Sequence, residues 1–145
     1  MKRLIGLTIA GLAVAAIAAW GIPARTEVLS YKVELNGSSE VPPNPSKGTG
    51  SISVTYDTTE KKLSWKGSYS GLTGVVTVAH FHGPAAMGKN AGIALGIAAG
   101  NLPPSFEGSA TLTDAQAADL AAGRWYLNLH TAAYPAGEIR GQVVK

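Results

Sequence analysis

The chain carries three histidines. They fall in two short motifs, Ala79-His80-Phe81-His82-Gly83-Pro84 and Asn128-Leu129-His130-Thr131. Imidazole titrates near neutral pH and is the commonest protein metal ligand. On a β-strand, residues i and i+2 point to the same face, about 6.5–7 Å apart along the backbone. His80 and His82 can therefore turn toward one ion. Gly83-Pro84 stops the segment directly after them, which places the pair at a strand end. His130 is likewise the last polar-face residue of an alternating segment. If the two strand ends share one rim, three imidazoles converge. Three neutral nitrogens suit copper or zinc, and iron or nickel less commonly. A His-x-His pair alone is a weak signal, because one ring can be structural and the other superficial.

A fourth ligand is less clearly marked. Glu138 follows the loop after His130 and is the candidate. Glu40, in the Glu-Val-Pro-Pro segment, and Met87, whose thioether would favour Cu(I), are further options, as is water. Each has a plainer role: an acid pairs with a cation, and a methionine packs. Arg140 stands two residues beyond Glu138 and is expected on the same strand face. It forms a surface ion pair of little energetic worth, or a catalytic guide for a small anion near the metal, or an orienter of the loop that carries His130.

The elements that must carry these residues read as short strands between turn signals. Tyr31–Leu35, Gly50–Tyr56 and Leu63–Tyr69 alternate with period two. Val75–His82, Ile93–Ala98, Glu107–Leu112, Arg124–Thr131 and Gly141–Lys145 complete the set. One short helix is expected near 114–122, with Thr113 as N-cap, Gln116 at the capping-box position and Gly123 ending it. Tyr31, Tyr56, Trp65 and Trp125 are expected to fill the core. Seven to eight short strands at roughly ten-residue spacing, with glycine-rich turns, indicate an all-β fold, an antiparallel sandwich or barrel.

Residues 1–25 are of a different kind. Lys2-Arg3 precede an uncharged run from Leu4 to Ile22, with small residues at Ala18 and Ala24. This is the pattern of a secretory signal peptide. The run is also close to the roughly 20 residues that span a bilayer, so an uncleaved N-terminal anchor is the alternative. The expected location is periplasmic or secreted, with membrane attachment only through residues 4–22 if they are retained. The net charge of +3 comes from Lys2, Arg3 and Arg25; residues 26–145 hold nine basic and nine acidic side chains. Nucleic acid is therefore not an expected partner. With no cysteine, the fold has no disulfide and depends on its core.

Gly37-Ser-Ser-Glu40-Val-Pro-Pro43, Ser70-Gly-Leu72, Ala79-His-Phe-His-Gly-Pro-Ala85, Leu129-His-Thr131 and Pro135-Ala-Gly-Glu-Ile-Arg-Gly-Gln142 occur in that order. Together they resemble the CHRD domain, named from chordin, over residues 30–144. Some members of that family carry histidine where this chain has Tyr134. The resemblance implies an extracellular module with a protein partner. The order of motifs is also similar to that of copper-zinc superoxide dismutase, which implies a Greek-key β-sandwich. By position it implies copper ligands at His80, His82 and His130 and an anion-guiding arginine at Arg140. A bridging histidine, a zinc cluster and a cysteine pair have no counterpart here, which leaves a copper-only, three-histidine site. The expected function is an exported copper-binding domain for copper handling or superoxide dismutation. The alternative is a non-catalytic extracellular protein-interaction or structural module. A hydrolase is disfavoured, because no Gly-x-Ser-x-Gly elbow is present.

Overall fold

The computed structural model describes residues 26–145. The expected leader or anchor lies outside the described residues. Among the described residues, no helix is long and apolar enough to cross a membrane.

Alternation of apolar and polar residues produces eight strands. They are β1 (Val28–Asn36), β2 (Thr49–Asp57), β3 (Lys62–Ser70), β4 (Val76–His82), β5 (Ile93–Leu102), β6 (Ser105–Thr111), β7 (Tyr126–Thr131) and β8 (Ile139–Gln142). β1 buries Tyr31, Val33 and Leu35; β2 buries Ile52, Val54 and Tyr56; β3 buries Leu63 and Trp65. The register sets Tyr31 against Val54 and Val54 against Trp65, so the inward faces of the three strands coincide. The expected core aromatics Tyr31, Tyr56, Trp65 and Trp125 are all buried.

The strands form one antiparallel sheet in the order β5-β4-β7-β8-β1-β2-β3-β6. Strands adjacent in sequence pair at β1–β2, β2–β3, β4–β5 and β7–β8, and the chain crosses over from β3 to β4, β5 to β6 and β6 to β7. The two halves of the sheet meet at β1 and β8, which share the single registered pair Asn36–Arg140. The outer ends approach one another at Tyr69. Its hydroxyl donates to the Leu102 carbonyl at 2.5 Å and its amide to the Pro104 carbonyl at 2.9 Å. The result is a nearly closed sandwich. Between the halves, Phe81 of β4 meets Trp65 edge-on at 5.6 Å and Trp125 at 5.7 Å. Burying a side chain as large as Phe81 contributes about 2–3 kcal/mol.

Several strand boundaries differ from the sequence expectation, most of all at β5 and β8. β5 runs on to Leu102, following β4 through irregular pairing. β8 begins at Ile139 rather than Gly141, because fully buried Ile139 pairs with Leu129 and starts the ladder earlier. The helix α1 (Asp114–Ala121) is where the sequence predicts it. Gln116 N–H donates to Thr113 Oγ1, and Thr113 N–H donates to Gln116 Oε1, closing the capping box. Leu120 anchors the helix in the core.

A bulge in β4 matters for the site. Val76, Ala79 and Phe81 are all fully buried, although a strict two-residue period would put Val76 on the face of His80. A register shift between Val76 and Val78 resets the phase. From there on, Ala79 and Phe81 point inward, and His80 and His82 point away from the core.

Candidate metal centre

β4 and β7 pair so that His80 lies opposite Asn128, His82 opposite Tyr126 and Val78 opposite His130. His130 is thus diagonal to His80 on the same outward face, within reach of a long side chain. Ring centroids are 5.4 Å apart for His80–His82, 5.4 Å for His80–His130 and 6.2 Å for His82–His130. One ligand nitrogen from each ring lies within 4.8 Å of the others. The expected convergence of the three histidines is therefore a property of the fold.

The backbone decides which nitrogens are free. His82 Nδ1 is 3.0 Å from the Ala91 carbonyl, and His130 Nδ1 is 2.9 Å from the Pro135 carbonyl. A carbonyl only accepts, so both Nδ1 atoms carry the proton and donate. In each neutral ring Nε2 then holds a bare lone pair. His82 Nε2, His130 Nε2 and His80 Nδ1 are all buried and without a hydrogen-bond partner. Orphaned buried polar atoms are rare because each is costly. A ring held by a carbonyl at one nitrogen and free at the other is also the usual arrangement of a metal-ligating histidine. Burial, with the neighbouring His130 and His82, holds the His80 pKa below the usual imidazole range. Burial also lowers that of His82, against the opposing bond to Ala91. Both effects favour the neutral form that a metal requires.

Packing around His82 is layered. The Tyr126 ring stacks on it at 4.9 Å and 5°. The Arg140 guanidinium carbon sits 3.4 Å from the centre of the Tyr126 ring. Tyr126 Oη accepts the Ala91 N–H at 3.1 Å.

Other candidates lie elsewhere. Glu138 does not join the histidines. It is fully buried, and both carboxylate oxygens are filled: Oε1 by Ser46 Oγ and Thr73 N–H, Oε2 by the hydroxyls of Thr73 and Thr131. Burial raises its pKa, but these bonds outweigh burial and hold it below the ordinary carboxylate value. Glu138 and Arg140, expected on one strand face, have separate surroundings: Glu138 precedes β8 and bonds Ser46, Thr73 and Thr131, and Arg140 bonds Asn90 and Lys89. Arg140 is 2 % exposed. It donates to Asn90 Oδ1 at 2.8 Å and to the Lys89 carbonyl at 2.7 Å, so its guanidinium is not presented to solvent as an anion guide would be. Glu40 is buried beside Gly137 and Asn128. Burial pushes its pKa up to about 7, against the Arg140 charge. Met87 is exposed. Among the described residues, the group able to hold a metal is His80, His82 and His130.

The parts played by the Ala91 and Pro135 carbonyls, Tyr126 and Asn90 have no signal in the sequence. Backbone carbonyls have no side-chain signature, and an aromatic on a strand reads as packing. The CHRD domain model matches residues 31–143. The chain belongs to the CHRD domain family. Comparison with curated proteins and with solved structures finds no match. In this CHRD domain the Leu129-His-Thr131 and Ala79-His-Phe-His82 motifs are neighbours on paired strands, and the Pro135–Gln142 motif supplies a carbonyl and Arg140 around them.

Proposed function

We propose that the chain is an exported copper-binding CHRD module in which His80 Nδ1, His82 Nε2 and His130 Nε2 hold one ion. The observation that carries this reading is the clustering of the three imidazoles, each with one buried, unpartnered nitrogen, two of them on rings whose other nitrogen is fixed by a carbonyl. CHRD domains are typically extracellular, in keeping with the signal-like pattern of residues 1–25. Three bonds of about 2.0–2.1 Å at tetrahedral to trigonal angles put the nitrogens roughly 3.3–3.6 Å apart, so each ring moves inward by up to about 0.8 Å from the 4.8 Å spread. Among divalent ions, imidazole nitrogens bind copper most strongly, with zinc the alternative. Copper would supply one-electron chemistry.

Copper handling is favoured over superoxide dismutation. Electrostatic guidance of an anion needs an accessible cation, and Arg140 is buried with its donors on Lys89 and Asn90. A purely structural module predicts histidines too far apart to share one ion or hydrogen-bonded into the core; the 4.8 Å cluster and the unpartnered nitrogen on each ring support the metal reading instead. The test is titration of the metal-free protein with Cu(I), Cu(II) and Zn(II), alongside the three single histidine-to-alanine variants and the triple variant. One equivalent of copper should bind, and each single change should weaken it at least tenfold. Wild-type copper affinity in the folded triple variant would sink the reading.

A further inference from the structure

We propose that Arg140 is a positioning residue for His82, holding that ring in the orientation and tautomer that present Nε2. The proposal rests on the histidine cluster being a metal centre, and it assigns Arg140 a part other than attraction of an anion.

Two routes lead from Arg140 to His82. The first is the layered stack of Arg140, Tyr126 and His82, with the guanidinium on the Tyr126 ring and that ring on the imidazole. The strand order places β7 between β4 and β8, so Tyr126 lies between its two neighbours. The second runs through the loop from Gly83 to Gly92. Arg140 donates to Asn90 Oδ1 and to the Lys89 carbonyl. The next residue, Ala91, provides the carbonyl that accepts the His82 Nδ1–H. The loop has glycine at 83, 88 and 92, and Gly88 adopts φ +76°. Such a segment has much backbone entropy to lose on ordering. The stretch 89–91 is tied down by Arg140, by Asn90 Nδ2 on the Val41 carbonyl at 2.9 Å and by Tyr126 Oη on the Ala91 amide. Both routes require a guanidinium: a flat cation that stacks on an aromatic while its fork bonds two acceptors, which a lysine ammonium cannot reproduce.

The experiment compares wild type with Arg140→Met and Asn90→Ala. Asn90 is exposed and touches no metal ligand, meeting the stack only through its Oδ1 on the Arg140 guanidinium, so this variant stays informative if Arg140→Met fails to fold. Nitrogen-15 NMR of the metal-free protein reads the His82 tautomer. Wild type should show a single Nδ1–H form, and both variants a mixture of tautomers, to a smaller degree in Asn90→Ala. Cu(II) affinity should fall about tenfold to a hundredfold in Arg140→Met, as for other partners that orient a ligand, with a changed Cu(II) hyperfine splitting. A pure Nδ1–H tautomer in either folded variant overturns the proposal. So does loss of azide binding to the copper form in Arg140→Met alone with the tautomer unchanged, which would make Arg140 the anion guide. If wild type binds no copper, the metal reading fails, while the tautomer measurement still decides whether Arg140 positions His82.

Discussion

Glu138→Gln isolates a buried charge while keeping its shape. The carboxylate accepts four hydrogen bonds, from Ser46 Oγ at 2.7 Å, Thr73 N–H at 2.9 Å, Thr73 Oγ1 at 2.8 Å and Thr131 Oγ1 at 2.6 Å. In the glutamine, Oε1 must keep the Thr73 N–H, because an amide cannot reverse. Nε2 then faces the Thr73 and Thr131 hydroxyls. Thr131 Oγ1 already accepts the Tyr134 N–H at 3.3 Å, so little acceptor capacity remains. Bonds to a charged acceptor contribute about 1.5–3 kcal/mol each and neutral ones about 0.5–1.5 kcal/mol. With the charge's own desolvation removed in return, the net loss should be about 2–3 kcal/mol. For a domain of this size that lowers the melting temperature by about 8–12 °C. The pH dependence gives an independent check. A folded pKa below the unfolded one means that the stabilisation is present above the unfolded value, near 4.5, and is lost as pH falls through the folded value. The gap between wild type and variant should therefore be full at pH 7, begin to shrink below about pH 5, and close at lower pH. Calorimetry from pH 7 to pH 3 measures both. Melting within about 1 °C of wild type at pH 7, or a gap that does not change with pH, refutes the reasoning.

Gly137→Ala should destabilise by about 2–4 kcal/mol and weaken copper binding. Gly137 adopts φ +131°, and a methyl there would collide with Glu40 Oε1 and reach 2.6 Å from Asn128 Nδ2, displacing the Pro135 carbonyl from His130; thermal melts and copper titration check it. Phe81→Ala should cost about 3–5 kcal/mol in denaturant unfolding. It removes a fully buried ring between Trp65 and Trp125 and loosens the strand that carries His80 and His82. Thr113→Ala should cost about 1 kcal/mol, lowering the melting temperature by about 4 °C, because Gln116 N–H loses its acceptor.

Much of this molecule is local in origin and so legible in the sequence. Strict alternation identifies the inward faces of β1, β2 and β3, since successive side chains of a strand must point oppositely. The capping box at Thr113 and Gln116 marks the helix start, because its hydrogen bonds span three residues. His80 and His82 form a pair for the same reason: two residues along one strand. Tertiary structure alone decided the remainder. The bulge between Val76 and Val78 sets which face His80 occupies, and it lies in the pairing of β4 with both β5 and β7. The partnership of His130 with that pair depends on β4 and β7 being neighbours although they are far apart in the chain. Glu138 and Arg140 stand close together near the last strand, yet one is saturated by Ser46, Thr73 and Thr131 and the other by Lys89 and Asn90. Residue type announced what each could bind; only the packed chain, by bringing distant donors and acceptors within 3 Å, determined what each does bind.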